Sequence, residues 1–92
     1  MRLYNARVYR DGRFVPGGLD FDTNIRGFDG EGGKDAHGAY IIPGLIDVHN
    51  HGNSGADFSD GDYNGLVKMA EYLAKNGVTS FAPASMTLPY DV

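Results

Sequence analysis

The chain has 92 residues, a formal net charge of −4 and no cysteine. This length suits one small domain with a modest buried core. Lys and Arg are scattered, which argues against a nucleic-acid partner or an anionic membrane surface, since both reward clustered basic residues. Without cysteine there is no disulfide framework and no thiolate metal site, so any metal ligands are nitrogen or oxygen atoms.

The hydrophobic pattern places the chain outside the membrane classes. No apolar run approaches the roughly 18 residues of a membrane span. The amino terminus also lacks the basic segment and apolar core of a signal peptide. We therefore expect a soluble cytoplasmic protein.

Short strands and tight turns are predicted before residue 39. Apolar residues on both sides of Asp11-Gly12 indicate a hairpin within Met1–Pro16, because Asp-Gly favours a two-residue turn. The next residues are rich in glycine and aspartate, which favours short extended pieces joined by turns. We interpret the aspartates as turn residues, because the ligand spacing of a calcium loop is missing. They are Asp20, Asp22, Asp29 and Asp35.

The pattern changes at Ala39, and a nearly continuous apolar run begins at Tyr40. Such a run favours a strand over about residues 41–51, buried on both faces as in a parallel sheet. Pro43 marks the start or the edge of this strand because proline cannot donate to a ladder. The strand proper is therefore expected to begin at Leu45.

Two histidines, His49 and His51, stand at the end of this run. Side chains at i and i+2 of a strand point to the same face, so the two imidazoles are expected side by side, with Asp47 on the same alternation. Spacing alone leaves two interpretations open, a metal site or ordinary surface or core histidines. His37, in a polar and glycine-rich stretch, is interpreted as a residue without a metal role.

A loop, a helix and a second strand follow the histidines. Gly52–Asp60 is a loop by composition, and an apolar stripe at helical spacing predicts a helix over about 62–76. Its N-cap is expected at Asp60 or Asp62, and Asn76-Gly77 is a typical helix end before a strand at about 78–82. The stripe consists of Leu66, Met69, Ala70, Leu73 and Ala74.

The order of strand, loop, helix and strand predicts one βαβ unit. In sheets of this kind functional groups gather at the carboxyl ends of the strands. The histidine pair falls at that end of its strand, which favours the metal interpretation.

Three segments carry a family resemblance. PGLIDVHNHG resembles the signature of the amidohydrolase superfamily, and HGNSGADFSDG with GVTSFAPASMTLP is similar to its N-acetylglucosamine-6-phosphate deacetylases. The resemblance implies an α/β fragment. Residues 1–39 would belong to a small β-sandwich-like domain. Residues 40–92 would hold the first β-α-β unit of a (β/α)8 metal-dependent hydrolase barrel.

The resemblance also implies a chemistry. His49 and His51 match the family's metal ligands, and the ion of such sites polarises an amide carbonyl and lowers the pKa of bound water to about 7. Imidazole suits several metals, and our order of preference is zinc, then iron. The substrate implied is a small amino-sugar phosphate whose acetamide is hydrolysed to acetate. Asn53, Ser54 and Thr87 are interpreted as loop residues, and no substrate-binding residue is assigned.

Most of the family's machinery has no counterpart in these 92 residues. A further carboxylate ligand, two further histidines and a general acid/base aspartate are missing, so no catalytic residue is assigned. A catalytic zinc normally takes three protein ligands and a water, and a full barrel needs about 250 residues. We therefore expect an amino-terminal fragment that is inactive alone, binds metal weakly and self-associates through exposed strand edges.

Alternatives for the full-length parent remain open. It is expected to be an enzyme, a deacetylase acting on a C–N amide bond and forming a dimer. A second interpretation is a cyclic-amide hydrolase of the dihydroorotase or hydantoinase type. The third is a non-catalytic scaffold of the same fold, against which the presence of both histidines argues.

Overall fold

The computed structural model describes residues 1–91 and divides into two compact units, Met1–Pro43 and the residues from Gly44 on. The fold of the described residues is mixed α/β, with mostly strands and one α-helix. No helix in residues 1–91 is long and apolar enough to cross a membrane. The strands are β1 Arg2–Arg10, β2 Arg13–Phe21, β3 Ile25–Gly27, β4 Lys34–Asp35, β5 Tyr40–Ile41, β6 Leu45–Asn50, β7 Gly52–Asn53, β8 Ala56–Asp57 and β9 Val78–Pro83, and the helix α1 is Tyr63–Lys75.

The first unit is a five-stranded sheet built on the β1–β2 hairpin. Asp11 and Gly12 have φ angles of 52° and 77°, as a two-residue turn of the primed type requires, so the predicted hairpin is confirmed. It is longer than the sequence indicated, because β2 continues to Phe21. β3 pairs antiparallel with β2, and β4 and β5 pair parallel with β1.

One face of this sheet carries the core of the first unit. Ala6, Val8 and Leu19 are buried there. Partly buried apolar side chains pack against them, namely Phe21, Phe28, Ala36 and Ile41. The alternation of buried and exposed residues along part of β1 is typical of a sheet with one covered face.

Two aspartates of the first unit shape its turns. Asp22 accepts a hydrogen bond from the backbone N–H of Asn24 at 3.0 Å, and Asp35 accepts one from the backbone N–H of His37 at 2.7 Å. An aspartate that bonds the backbone two residues on is a turn residue. The interpretation as turn residues is therefore confirmed for these two.

The second unit contains a parallel strand pair connected by the helix. β6 and β9 pair in parallel, and α1 lies between them in the chain. Asp62 is the N-cap of α1, and its carboxylate accepts from the N–H groups of Asn64 and Gly65. Gly77 follows the helix with a φ angle of 81°. The predicted cap, helix and second strand are confirmed to within one residue.

The strand expected over about 41–51 is interrupted. β5 ends at Ile41 and pairs with β1, and the next strand begins only at Leu45. Pro43 has no N–H to donate to a ladder, which explains the break. A Cβ at Gly44 would clash with the side chain of Thr79, so the chain passes Thr79 closely at this point. The two compact units divide after Pro43.

The expectation that β6 is buried on both faces is wrong for this structure. Its apolar side chains are largely exposed, with Ile46 at 70% and Val48 at 78%. Within residues 1–91, β6 has β9 as its strand partner. An apolar sequence favours burial, but burial requires neighbouring elements, and the described residues do not supply enough of them.

Gly52–Asp60 is more ordered than the predicted loop. β7 and β8 form a small antiparallel hairpin, with Ser54 and Gly55 at positive φ angles of 56° and 75°. A single 3-10 turn, Phe58–Asp60, follows it. Strands of two residues are too short to be recognised from periodicity.

Candidate metal site

His49 and His51 lie together at the carboxyl end of β6. Their Nε2 atoms are 2.9 Å apart, and the ring centroids are 4.6 Å apart with the planes at 88°. The two imidazoles therefore occupy the same side of the strand, as the i, i+2 spacing predicts. The two Nε2 atoms face each other at hydrogen-bonding distance.

His51 has a fixed partner on its other nitrogen. Its Nδ1 lies 2.8 Å from the carbonyl oxygen of Ala84, just beyond the end of β9. A carbonyl oxygen only accepts, so Nδ1 carries the proton and donates it. In the neutral imidazole Nε2 is then unprotonated and carries a lone pair, which is the form that binds metals.

His49 is held less firmly. Its side chain is exposed, and within residues 1–91 its ring makes one hydrogen bond, to His51. Because Nε2 of His51 is an acceptor, the 2.9 Å contact requires a proton on Nε2 of His49. His49 must give up this proton or move it to Nδ1 before both Nε2 atoms can act as ligands.

Asp47 supports the backbone beside the pair and is not a third ligand. It accepts from the backbone N–H of His49 at 3.1 Å and from the side-chain amide of Asn50 at 2.8 Å. These two bonds lower the pKa of the Asp47 carboxyl below its usual value, and the bond from Asn50 contributes more than the bond from the His49 N–H. Residues 1–91 contain no group of three or more carboxylate or imidazole side chains placed to hold a metal.

The geometry of the pair fits a divalent ion in part. Zinc binds histidine nitrogen at about 2.0–2.1 Å in tetrahedral geometry, so two nitrogens on one ion lie about 3.3–3.4 Å apart. The Nε2 atoms are 2.9 Å apart and would separate by about 0.5 Å to bind one ion. Two nitrogen donors fit zinc or iron chemically, but they complete only part of a coordination shell.

The neighbouring polar residues have internal partners. The Asn53 amide reaches the carbonyl oxygen of Met69 in α1 at 3.4 Å, and Ser54 donates to Asn53 at 2.8 Å. The first bond connects the β7–β8 turn to the helix and the second lies within the turn, which explains both residues without a ligand. Thr87 is exposed. His37 belongs to the first unit, where its side chain is 85% exposed and lies 3.6 Å from Asp35.

Sequence reasoning missed two residues around the pair, Ser59 and Ala84. Ala84 meets His51 across 33 positions of the chain. The Ser59 hydroxyl accepts from the backbone N–H of Met86 at 2.8 Å, across 27 positions. Ala84 contributes only backbone atoms, so no side-chain pattern could have identified it.

Comparison with known proteins relates the chain to one group of enzymes. No family model matches it. A Vibrio furnissii protein named N-acetylglucosamine-6-phosphate deacetylase is 38% identical over 68 residues, which cover 71% of this chain and 17% of that protein. Proteins of the same name from Bos taurus and Homo sapiens are 32% and 30% identical over alignments that cover the whole chain and 26% of each relative.

The chain therefore spans about a quarter or less of the length of these relatives. Two of these alignments cover the whole chain, and therefore both of its units. In sequence the chain is related to proteins named N-acetylglucosamine-6-phosphate deacetylase.

Proposed function

We propose that this chain is the amino-terminal part of a metal-dependent deacetylase, and that His49 and His51 are two of its metal ligands. The observation that carries the proposal is the convergence of their Nε2 atoms, 2.9 Å apart, at the carboxyl end of a parallel strand. The substrate we propose is N-acetylglucosamine-6-phosphate. It rests on the names of the relatives, which align over the whole chain at 30–32% identity.

The proposed architecture extends beyond the described elements. β6, α1 and β9 would be the first β-α-β unit of a (β/α)8 barrel of the amidohydrolase superfamily. The parallel pairing of β6 with β9 supports this, and so do the exposed apolar side chains of β6, which a third strand and further helices would cover. The first unit would be part of the accompanying small β-domain.

A bound divalent ion, zinc before iron, supplies Lewis-acid activation of an amide carbonyl and of water. In the overall hydrolysis the oxygen of water joins the acetyl carbon, the C–N bond breaks and the amine nitrogen takes up a proton. The products are acetate and the amino-sugar phosphate. In this chain His51 presents a lone pair at Nε2, while Asp47 holds the backbone N–H of His49. The acid/base group belongs to the proposed remainder of the enzyme.

In this proposal the 92 residues supply only part of the metal site. Two imidazoles leave at least one protein ligand of a catalytic zinc site missing. We therefore expect weak metal binding and no hydrolysis from this chain by itself. A cytoplasmic location and a dimeric parent are further parts of the proposal.

The test is acetate release from N-acetylglucosamine-6-phosphate by the full-length protein that carries this sequence. We expect His49→Ala and His51→Ala each to lower the rate at least about 100-fold, because each removes a metal ligand. His37→Ala is the matched control, since its side chain is 85% exposed, and should keep the full rate.

Other outcomes would overturn the proposal in different ways. Hydrolysis of dihydroorotate or hydantoin in place of the acetylated sugar phosphate would indicate a cyclic-amide hydrolase. Failure to hydrolyse any of these substrates in the presence of zinc or iron would indicate a non-catalytic scaffold. Unchanged activity in both histidine variants would show that the pair is not a metal site.

A further inference from the structure

The segment Ala84–Met86, which follows β9, is attached to its surroundings at three points. The Ala84 carbonyl accepts from Nδ1 of His51 at 2.8 Å, and the Ala84 N–H donates to the carbonyl of Asn50 at 2.9 Å. Two residues on, the Met86 N–H donates to the hydroxyl of Ser59 at 2.8 Å. The carbonyl that holds the His51 ring is therefore itself held on both sides.

Ser59 is also fixed in place. It lies in the 3-10 turn that Asp57 caps, and its own N–H donates to the Asp57 carboxylate at 2.7 Å. The N–H of Phe58, the first residue of the turn, donates to the backbone carbonyl of His51 at 2.7 Å. The connections thus return to His51, whose backbone and ring are bound by two different segments.

The His49 ring is not held by comparable hydrogen bonds within residues 1–91. Its backbone N–H is bound by Asp47, but in residues 1–91 the imidazole has only His51 as a hydrogen-bond partner. A second hydrogen bond on a metal-binding histidine fixes its tautomer and its orientation, and loss of such a partner typically lowers metal affinity 10–100-fold. By this criterion the two histidines are not equivalent.

We propose that Ser59 is a positioning residue for His51. Together with the Ala84–Met86 segment it forms a clamp that keeps the proton of His51 on Nδ1 and directs Nε2 toward the metal position. His51 is then the ligand set before the ion arrives, and His49 is the ligand that changes tautomer and orientation. The metal part of this inference rests on the proposed function, whereas the tautomer of His51 does not.

The first test measures the tautomers in the metal-free chain by long-range 15N NMR of the histidine rings. In the wild type we expect His51 protonated on Nδ1. Ser59→Ala removes the hydroxyl acceptor and should give a mixture of the two His51 tautomers. Ser59→Thr keeps a hydroxyl and should therefore keep His51 in the single tautomer protonated on Nδ1. Ser85→Ala, an exposed serine of the same segment, is the matched control and should change nothing.

The second test measures Zn²⁺ binding by competition with a chromophoric chelator. Ser59→Ala should weaken binding about 10-fold, the lower end of the usual effect of an outer-shell partner. Ser59→Thr and Ser85→Ala should bind as the wild type does. If Ser59→Ala prevents folding, Ser59→Cys, with a similar volume and a weaker acceptor, should give an intermediate tautomer mixture and affinity.

The two proposals can fail separately. A single His51 tautomer that persists in Ser59→Ala, or an equal change in Ser85→Ala, would overturn the clamp even if zinc binds at the pair. Zinc binding that is unaffected by loss of either histidine would overturn the metal site. A tautomer that depends on Ser59 would still stand in that case.

Discussion

The two units differ in how far the apolar side chains of their strands are buried. In the first, β1 and β2 are neighbours in the chain, and their inward side chains form the core, with Ala6 at 3%, Val8 at 4% and Leu19 at 9% exposure. In the second, the buried apolar side chains lie on α1, while Ile46 and Val48 of β6 stay exposed. A hairpin sheet needs cover on one face, whereas a parallel strand of apolar residues needs it on both.

The largest predicted change in stability concerns the core of the second unit, and it tests this difference between buried and exposed side chains. Met69 of α1 is fully buried, so Met69→Ala should destabilise the unit by about 2–5 kcal/mol, as truncation of buried Leu, Ile or Met does. Val48→Ala removes an apolar side chain that is 78% exposed and should change stability by less than about 0.5 kcal/mol. Urea unfolding of both variants measures the difference. Equal losses would show that β6 is buried in solution.

The exposed strand leads to a second prediction, on self-association. β6 has apolar side chains on both faces, and such strands tend to pair with other copies. We expect the 92-residue chain to sediment above its monomer mass of 9.9 kDa as its concentration rises. The double variant Ile46→Lys, Val48→Lys should shift that rise to at least about 10-fold higher concentration, because charged residues oppose strand pairing. A compact monomer of the wild type at high concentration would contradict it.

The start of α1 offers a smaller effect within the second unit. The Asp62 carboxylate accepts from the N–H groups of Asn64 and Gly65 at 3.2 and 3.0 Å. Asp62→Ala should cost about 1 kcal/mol in urea unfolding, the typical value of an N-cap. Asp62→Asn keeps an acceptor and should cost only a few tenths of about 1 kcal/mol in the free energy of unfolding. If the two variants are equally destabilised, the capping bond does not contribute.

What the sequence predicted well is local in the chain. The Asp11-Gly12 turn, the Asp62 cap and the Gly77 helix end each depend on residues a few positions apart, and the structure has all three. The proximity of the histidines follows from the two-residue repeat of a strand. Such features are determined by backbone conformation, which neighbouring residues control.

What the sequence did not predict depends on distant contacts. The His51 ring meets Ala84 across 33 positions, and the partner is a backbone carbonyl that every residue possesses. The exposure of Val48 likewise depends on which elements are present to cover it, and its apolar character carries no information on this point. The pairing of Tyr40–Ile41 with β1 is again a contact distant in sequence.

The smallest predicted effect concerns pH in the first unit. Asp35 accepts from the His37 N–H and from the Asn5 amide at 2.9 Å, and these bonds, the His37 one first, lower the pKa of its carboxyl. A lowered folded-state pKa stabilises the fold above the unfolded value of about 3.9, and this stabilisation disappears as the pH falls through the folded value. Asp35→Asn should therefore be less stable than the wild type at pH 6, with a difference that vanishes toward pH 2.

A second variant identifies the bond responsible. Asn5 has a φ angle of 53°, so Asn5→Gly removes the amide donor without adding backbone strain. In that background the pH-dependent effect of the Asp35→Asn substitution should shrink but persist, because the His37 N–H remains. Thermal unfolding of the variants from pH 2 to pH 6 measures this pH dependence. A difference of the same size at all pH values would mean that the charge of the Asp35 carboxylate does not contribute to stability.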